Sequence, residues 1–208
     1  MKRNKTFMRI GITGGVGAGK SVVLNHLKEN YACEILIADD IGNEVKMPGG
    51  RCYEAFIGLV GEEIVKEDGT IDRAKAAEKI FADDALLEKV NALIHPAVKD
   101  EVRERIAKAK AEGRVKFVFV EAALLIEAGY VPELDELWYV CAGEQIRAAR
   151  LKEARGYTQS RIEGIMEQQL SDEEFKRYAD RVIVNNGTKE ELLEQIDEIM
   201  GEYTWQEQ

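Results

Sequence analysis

The chain has little cysteine, proline and histidine, and it has no long hydrophobic run. Its 208 residues include three cysteines, three prolines and two histidines. Cys33, Cys52 and Cys141 are isolated thiols without a Cys-x-x-Cys pair or a nearby histidine, which argues against structural zinc. An odd number of thiols without a secretory signal is typical of reduced cysteine, and no apolar stretch approaches the roughly 20 residues of a membrane-spanning helix. We therefore expect a cytoplasmic protein without a membrane partner.

The chain also lacks a basic excess. Its 39 acidic residues outnumber its 29 lysines and arginines, which gives a net charge of -10. A nucleic-acid-binding surface normally carries excess positive charge, so we expect no nucleic-acid partner. An acidic total is compatible with a local basic cleft, which Lys20, Arg147, Arg150 and Arg155 could form.

The clearest feature that is present is residues 14–21, Gly-Gly-Val-Gly-Ala-Gly-Lys-Ser, which fit the pattern G-x-x-x-x-G-K-[ST]. A strand-like run precedes the segment and a helical pattern follows it, the context in which this pattern binds phosphates rather than forming a glycine-rich turn by chance. Lys20 would supply a positive charge, and Ser21 a hydroxyl ligand for Mg²⁺. The sequence therefore predicts a site for a nucleoside triphosphate and Mg²⁺. The predicted nucleotide-binding residues are Gly15, Val16, Gly17, Ala18, Gly19, Lys20, Ser21, Val22 and Asn185.

Five short apolar runs predict strands, at residues 8–13, 34–38, 116–121, 136–141 and 181–185. The run 117–120 is apolar at consecutive positions, which is typical of strands buried on both faces of a parallel sheet. Helical patterns separate the runs. This alternation predicts a three-layer α/β P-loop NTPase fold with a five-stranded parallel sheet.

Two stretches are too long for simple crossovers. Residues 49–111 contain helical patterns at 72–82, 83–93 and 96–111, with Pro96 placed in the first turn of the third. We interpret this insert as a helical substrate-binding subdomain. Residues 145–180 are helical and charged, and we interpret them as a lid. The predicted core then comprises residues 7–48, 112–144 and 181–203.

Phosphoryl transfer also requires a group that orients or deprotonates the acceptor. Asp39 follows the second predicted strand, so its carboxylate should face the cleft, where it could accept the proton of the acceptor hydroxyl or hold a magnesium-bound water. The alternative is that Asp39 caps the helix carrying Ile41 and Val45, and the two roles are compatible. Asp40 is more simply an exposed charge.

Other candidates have both functional and ordinary interpretations. Glu121, at the end of the third strand, could meet magnesium through water or reach solvent. Arg150 and Arg155 could neutralise the transferring phosphoryl group or form a solvated helix face. His95 and Glu127 could contact substrate, although a capping histidine and an exposed glutamate are the simpler defaults. Asn185, in Asn-Asn-Gly, predicts a turn first and an adenine contact second.

An ordered series of motifs resembles the dephospho-coenzyme A kinases, a P-loop nucleoside monophosphate kinase-like family, over nearly the whole chain. The matching segments are Gly11 to Ser21, Ala38-Asp39, Met47-Pro48-Gly49, Asp68 to Arg73, Phe81, Ile94-His95-Pro96, Leu124 to Glu127, Gln169, Ala179-Asp180 and Asn185-Asn186-Gly187. The series departs from the family pattern at Ile37, Val22 and Ala123. Its lid arginines, Arg150 and Arg155, are one residue further apart than is common in the family.

The resemblance implies that ATP phosphorylates the ribose 3′-hydroxyl of dephospho-coenzyme A, giving coenzyme A and ADP. Asp39 would be the general base, and Arg150 and Arg155 the lid cations. The insert would be the coenzyme A subdomain, with Arg73, His95 and Glu127 at the substrate. We expect a monomer or a weak homo-oligomer.

Two other functions remain open from the residues. One is a P-loop kinase for another small hydroxylated or nucleotide acceptor. The other is a nucleotide-dependent switch protein, which the absence of an Asn-Lys-x-Asp guanine motif disfavours.

Overall fold

A single five-stranded sheet organises the chain, in a computed structural model that describes residues 6–122 and 124–203. The strands are β1 (Met8–Thr13), β2 (Cys33–Ile37), β3 (Phe117–Glu121), β4 (Glu136–Cys141) and β5 (Arg181–Val184). Their order in the sheet is β2-β3-β1-β4-β5. Strand β1 pairs in parallel with β3 and β4, and β4 pairs in parallel with β5. The predicted α/β fold is confirmed, with strand ends within one residue of those expected.

Apolar side chains cover both faces of this sheet. On one face, α1 (Lys20–Asn30) and α9 (Lys189–Gly201) pack over the central strands. Buried residues of this core include Met8, Ile10, Ile12, Leu27, Phe119, Trp138, Leu192 and Ile196. On the other face, the Tyr139 ring stacks on Phe175 of α8 (Asp172–Tyr178), with centroids 4.7 Å apart. Burial of successive residues from Phe117 to Val120 confirms that β3 is enclosed on both sides.

The chain forms two compact units. One comprises the residues up to Leu36 and those from Lys108 onward, and the other comprises Ile37–Ala107. The first unit also carries α6 (Glu144–Arg155) and α7 (Gln159–Glu167), which with α8 are the helices of the predicted lid at residues 145–180. The helical unit contains α2 (Ala38–Glu44), α3 (Tyr53–Val60) and α4 (Arg73–Phe81), and most of α5 (Asp84–Glu112).

One helix prediction is wrong. Residues 83–93 and 96–111 form the single helix α5, with Pro96 in its interior rather than in a first turn. An interior proline removes a backbone hydrogen bond and costs about 3 kcal/mol. Buried residues recur every four positions across Pro96, at Val90, Ile94, Val98 and Val102. Burial of this continuous apolar face keeps both halves in one helix.

A buried carboxylate anchors Tyr203, which follows α9. Glu136, at the start of β4, is 3% exposed. Its Oε2 accepts hydrogen bonds from the Tyr203 hydroxyl at 2.6 Å and from Trp138 Nε1 at 3.2 Å. Burial raises the pKa of the Tyr203 hydroxyl well above its usual value, and the hydrogen bond to Glu136 adds to this.

We expect Tyr203→Phe to lower the free energy of unfolding by about 1–3 kcal/mol, because it removes a donor from a buried charged acceptor. Urea or guanidinium denaturation measures the change. Tyr178→Phe is the matched control, since Tyr178 is 51% exposed and should lose little. Equal stabilities of the two variants would contradict the anchoring role.

No helix in the described ranges is both long and apolar enough to cross a membrane.

Candidate functional site

Glycines shape the loop between β1 and α1. Gly14 has φ 145°, and a Cβ there would lie 2.1 Å from the backbone oxygen of Val140 in β4. Gly19 has φ 101° and caps α1, which begins at Lys20. A Cβ at Gly19 would lie 2.1 Å from Asn185 Nδ2. Glycine is therefore required at both positions, and the loop leads directly into the N-terminus of a helix, where anions bind favourably.

Lys20 folds back over this loop. Its Nζ donates a hydrogen bond to the Gly14 carbonyl at 2.7 Å and lies 3.6 Å from Glu121 Oε1. The Lys20 and Glu121 side chains are only 15% and 13% exposed. Glu121 ends β3 directly beside Ile12 of the neighbouring strand β1. The structure thus brings the predicted phosphate-binding lysine and the predicted magnesium-site carboxylate together.

Arg150 and Asn185 contact the loop from its other side. Arg150 Nη2 donates to the Asn185 backbone oxygen at 3.1 Å and to Asn185 Oδ1 at 3.2 Å, and Arg150 Nη1 lies 3.5 Å from the Gly17 oxygen. The buried Asn185 donates from Nδ2 to the Ala18 oxygen at 2.8 Å. Asn185, which follows β5, therefore bonds directly to the loop. The Asn-Asn-Gly sequence favoured a simple turn at this position, and the structure adds this contact.

Gln169 and Arg147 also reach the loop, although the sequence pointed to Arg147 only as part of a possible basic cleft and to Gln169 only as a motif residue. The Val16 backbone N–H donates to Gln169 Oε1 at 3.2 Å, and Arg147 Nη1 donates to the same oxygen at 3.3 Å. Arg147 is so close that a Cβ on Gly15 would lie 1.9 Å from its Nη1. Arg147 Nε is buried, and no described residue accepts a hydrogen bond from it. Two features of the sequence could have pointed to these residues. Arg147 lies three positions before Arg150 on the same helix, and Gln169 is one of the motif residues.

The other predicted residues of this unit that the structure describes form no side-chain hydrogen bond with the loop. Arg155 is exposed at the end of α6, and its guanidinium lies 5.9 Å from the Tyr157 ring centroid. Glu127 is exposed in the turn segment after β3. Ser21 and Val22 lie in the first turn of α1. Ala123 lies outside the described residues.

Asp39, Arg73 and His95 belong to the helical unit. Asp39 is exposed in the first turn of α2, where Ile37 is the N-cap residue and no side chain caps the helix. The alternative of Asp39 as a cap is therefore wrong. Arg73 begins α4, capped by Asp72, and lines a cavity of 270 Å³. His95 is exposed within α5, so it neither caps that helix nor packs in the core.

Comparisons with known proteins extend over nearly the whole chain. The family described as dephospho-CoA kinase matches residues 8–191. A dephospho-CoA kinase of Geobacter sulfurreducens is 36% identical over 190 residues, which cover 91% of this chain and 95% of the relative. One of Carboxydothermus hydrogenoformans is 33% identical over 198 residues, 95% of each chain. A crystal structure of a Thermus thermophilus protein has a TM-score of 0.77 and 27% identity, covering 97% of this chain and 100% of that one.

Proposed function

This chain belongs to the dephospho-CoA kinase family, and from that premise we propose which of its residues carry the reaction. The enzyme transfers the γ-phosphoryl group of ATP to the ribose 3′-hydroxyl of dephospho-coenzyme A, giving coenzyme A and ADP, the last step of coenzyme A synthesis. A phosphoryl transfer of this kind depends mainly on positioning and on neutralising charge.

The loop of residues 14–21 and Lys20 bind the phosphates of ATP. Lys20 Nζ, 2.7 Å from the Gly14 oxygen, is held where a β- or γ-phosphate oxygen would rest on the loop amides. The loop of residues 14–21 with Lys20 folded over it is the observation that carries the proposed function. These groups all belong to one compact unit, so their arrangement does not depend on the helical unit.

Arg147 and Arg150 are the cations that α6 supplies. Arg150 lies against Gly17 and Asn185, and we assign it to the nucleotide. Arg147 has a buried Nε without an acceptor among the described residues, an arrangement that costs about 1–3 kcal/mol. A phosphate oxygen would accept a hydrogen bond from that N–H. It would also accept one from the Val16 N–H, which donates to Gln169 Oε1 in the structure. Arg155 remains a proposed lid cation that would need to move toward the loop.

Ser21 and Glu121 suit a magnesium ion. A hydroxyl and a carboxylate are the oxygen donors that Mg²⁺ prefers, and the carboxylate lies beside the phosphate-binding lysine. The ion, when bound, would neutralise charge on the ATP phosphates. Glu121 would hold it through water, and Ser21 directly.

Asp39 takes the proton of the acceptor hydroxyl. Its carboxylate is exposed, makes no capping hydrogen bond and follows β2 after one intervening residue. An exposed carboxylate at a strand's carboxyl end is available to a bound substrate. Asp39 would accept the 3′-hydroxyl proton as that oxygen attacks the γ-phosphorus. Arg73, His95 and Glu127 are proposed acceptor contacts.

Coupled ADP release with ATP, Mg²⁺ and dephospho-coenzyme A tests this function. We expect turnover that needs all three, with GTP a poorer donor than ATP and other hydroxylated nucleotides poorer acceptors. Turnover with a different acceptor and none with dephospho-coenzyme A would contradict the proposal.

We expect Arg147→Ala to lower kcat on the order of 10²-fold, the usual loss when one group that stabilises transition-state charge is removed. Single-turnover measurements of phosphoryl transfer isolate that step. Lys152→Ala is the matched control, because Lys152 is exposed on the same helix. A normal single-turnover rate for Arg147→Ala would exclude Arg147 from the chemistry.

A further inference from the structure

The helical unit contains a cavity with an unusual charge distribution. It encloses 270 Å³, and its walls are largely apolar, with Phe56, Ile71 and Ile80 among them. The polar lining consists of Asn43, Lys46 and Arg73, and no carboxylate lines the cavity within residues 37–107, all of which are described. In a chain with a net charge of -10, this is a local concentration of positive charge.

The two cations have no direct carboxylate partner in the described ranges. Neither Lys46 nor Arg73 forms an ion pair or a hydrogen bond with a carboxylate of the described ranges. Burial lowers the pKa of Lys46, the nearby charge of Arg73 lowers it further, and Asp39 opposes the shift more weakly. The Lys46 ammonium lies 5.6 Å from the centroid of the Phe56 ring, which holds the side chain against the wall. A bound anion would relieve both the repulsion and the burial cost.

The acceptor supplies a matching anion. Before its phosphorylation, dephospho-coenzyme A has one charged group, the diphosphate that joins the adenosine 5′-oxygen to the pantetheine arm. Asp39 and Lys46 are seven residues apart along α2 and the turn after it, about 10 Å at the helical rise per residue. A carboxylate for the ribose hydroxyl and a cation for the 5′-diphosphate are thus spaced on the scale of one nucleotide.

We propose that Lys46 and Arg73 bind the diphosphate of the acceptor in this cavity, and that Lys46 is a specificity residue for diphosphate-linked acceptors. The inference rests on the proposed function for the identity of the acceptor, although the anion site itself stands on the cavity alone. Phe81, which lines the cavity and is 74% exposed, offers an aromatic surface to the carbon-rich remainder of the ligand. The cavity thus offers two cations to the diphosphate and apolar surface to the carbon-rich groups on either side of it.

The test in solution is Lys46→Gln. We expect the KM for dephospho-coenzyme A to rise by about 10- to 100-fold, the loss expected for one charge-assisted contact, while kcat and the KM for ATP stay within about twofold. Lys89→Gln, an exposed lysine of α5, is the matched control and should leave all three constants unchanged. An unchanged KM for the acceptor in Lys46→Gln, or a loss confined to kcat, would overturn the proposal.

A binding measurement separates this proposal from the proposed function. Inorganic pyrophosphate is titrated calorimetrically into protein whose P-loop is filled with a saturating non-hydrolysable ATP analogue. We expect binding to the wild type and to Lys46→Arg, and binding weakened by tenfold or more in Lys46→Gln and Arg73→Gln. Equal binding to wild type and Lys46→Gln, or none to the wild type, would overturn the anion site. Lys46-dependent binding in a protein inactive toward dephospho-coenzyme A would refute the proposed function and retain the site.

Discussion

Lys20→Ala is expected to lower kcat by about 10³-fold or more, the upper part of the range for losing one group that stabilises developing charge. Lys20 Nζ lies between the Gly14 oxygen and Glu121, and in the proposed function its charge would meet the phosphates of ATP. The substitution removes that charge and leaves the Glu121 carboxylate without its lysine neighbour. Steady-state and single-turnover rates with dephospho-coenzyme A measure the loss.

The control for this variant is Lys28→Ala, because Lys28 is an exposed lysine of the same helix. Thermal unfolding should show that Lys20→Ala retains the fold, since the sheet core does not include the side chain. Lys20→Arg restores the charge with a different shape and should recover only part of the rate. Full activity of Lys20→Ala would refute the phosphate cradle.

Asp39→Asn is expected to lower kcat by about 10²- to 10⁴-fold, the contribution of a positioned general base. The amide has the shape of the carboxylate but cannot accept the proton of the 3′-hydroxyl. Since Asp39 makes no capping hydrogen bond in α2, the change should leave the helix intact. Rates at saturating acceptor across a pH series measure the effect.

Asp40→Asn is the matched control, since Asp40 is the next residue of the same helix and is also exposed. It should keep kcat near the wild-type value. If Asp39→Asn raises only the KM for the acceptor, Asp39 positions the substrate and moves no proton. If Asp40→Asn carries the larger loss, the base is Asp40, and the departure at Ile37 has shifted the role along the chain.

Much of the fold could be predicted because its signals are local. Five apolar runs separated by helical patterns predict the strands, and the glycine-rich motif predicts the turn into α1. The division of α5 at Pro96 could not be predicted correctly, because the penalty of an interior proline is visible in the sequence while the packing that offsets it is not. Asp39 was similarly ambiguous, since the cap position, Ile37, lies only two residues before Asp39.

The site was only partly predictable for a related reason. Lys20 and the loop follow from a motif whose residues are neighbours in the chain. Arg147, Gln169 and Lys46 are single polar residues, and neither the spacing of Arg147 from Arg150 nor the motif position of Gln169 shows in the sequence that they matter more than Arg155. Their importance comes from contacts across the fold, such as the meeting of Arg147 and Gln169 over Val16.

The sequence by itself determined the phosphate-binding loop, the alternation of strands and helices, and the family resemblance, because each is read from short runs and motifs and from their order along the chain. Only the tertiary structure decided which cations of α6 lie against the loop, that Asn185 holds it from β5, and that Lys46 and Arg73 share a cavity without a carboxylate. Those arrangements depend on which side chains packing brings together from distant segments, and that packing is a property of the whole folded chain.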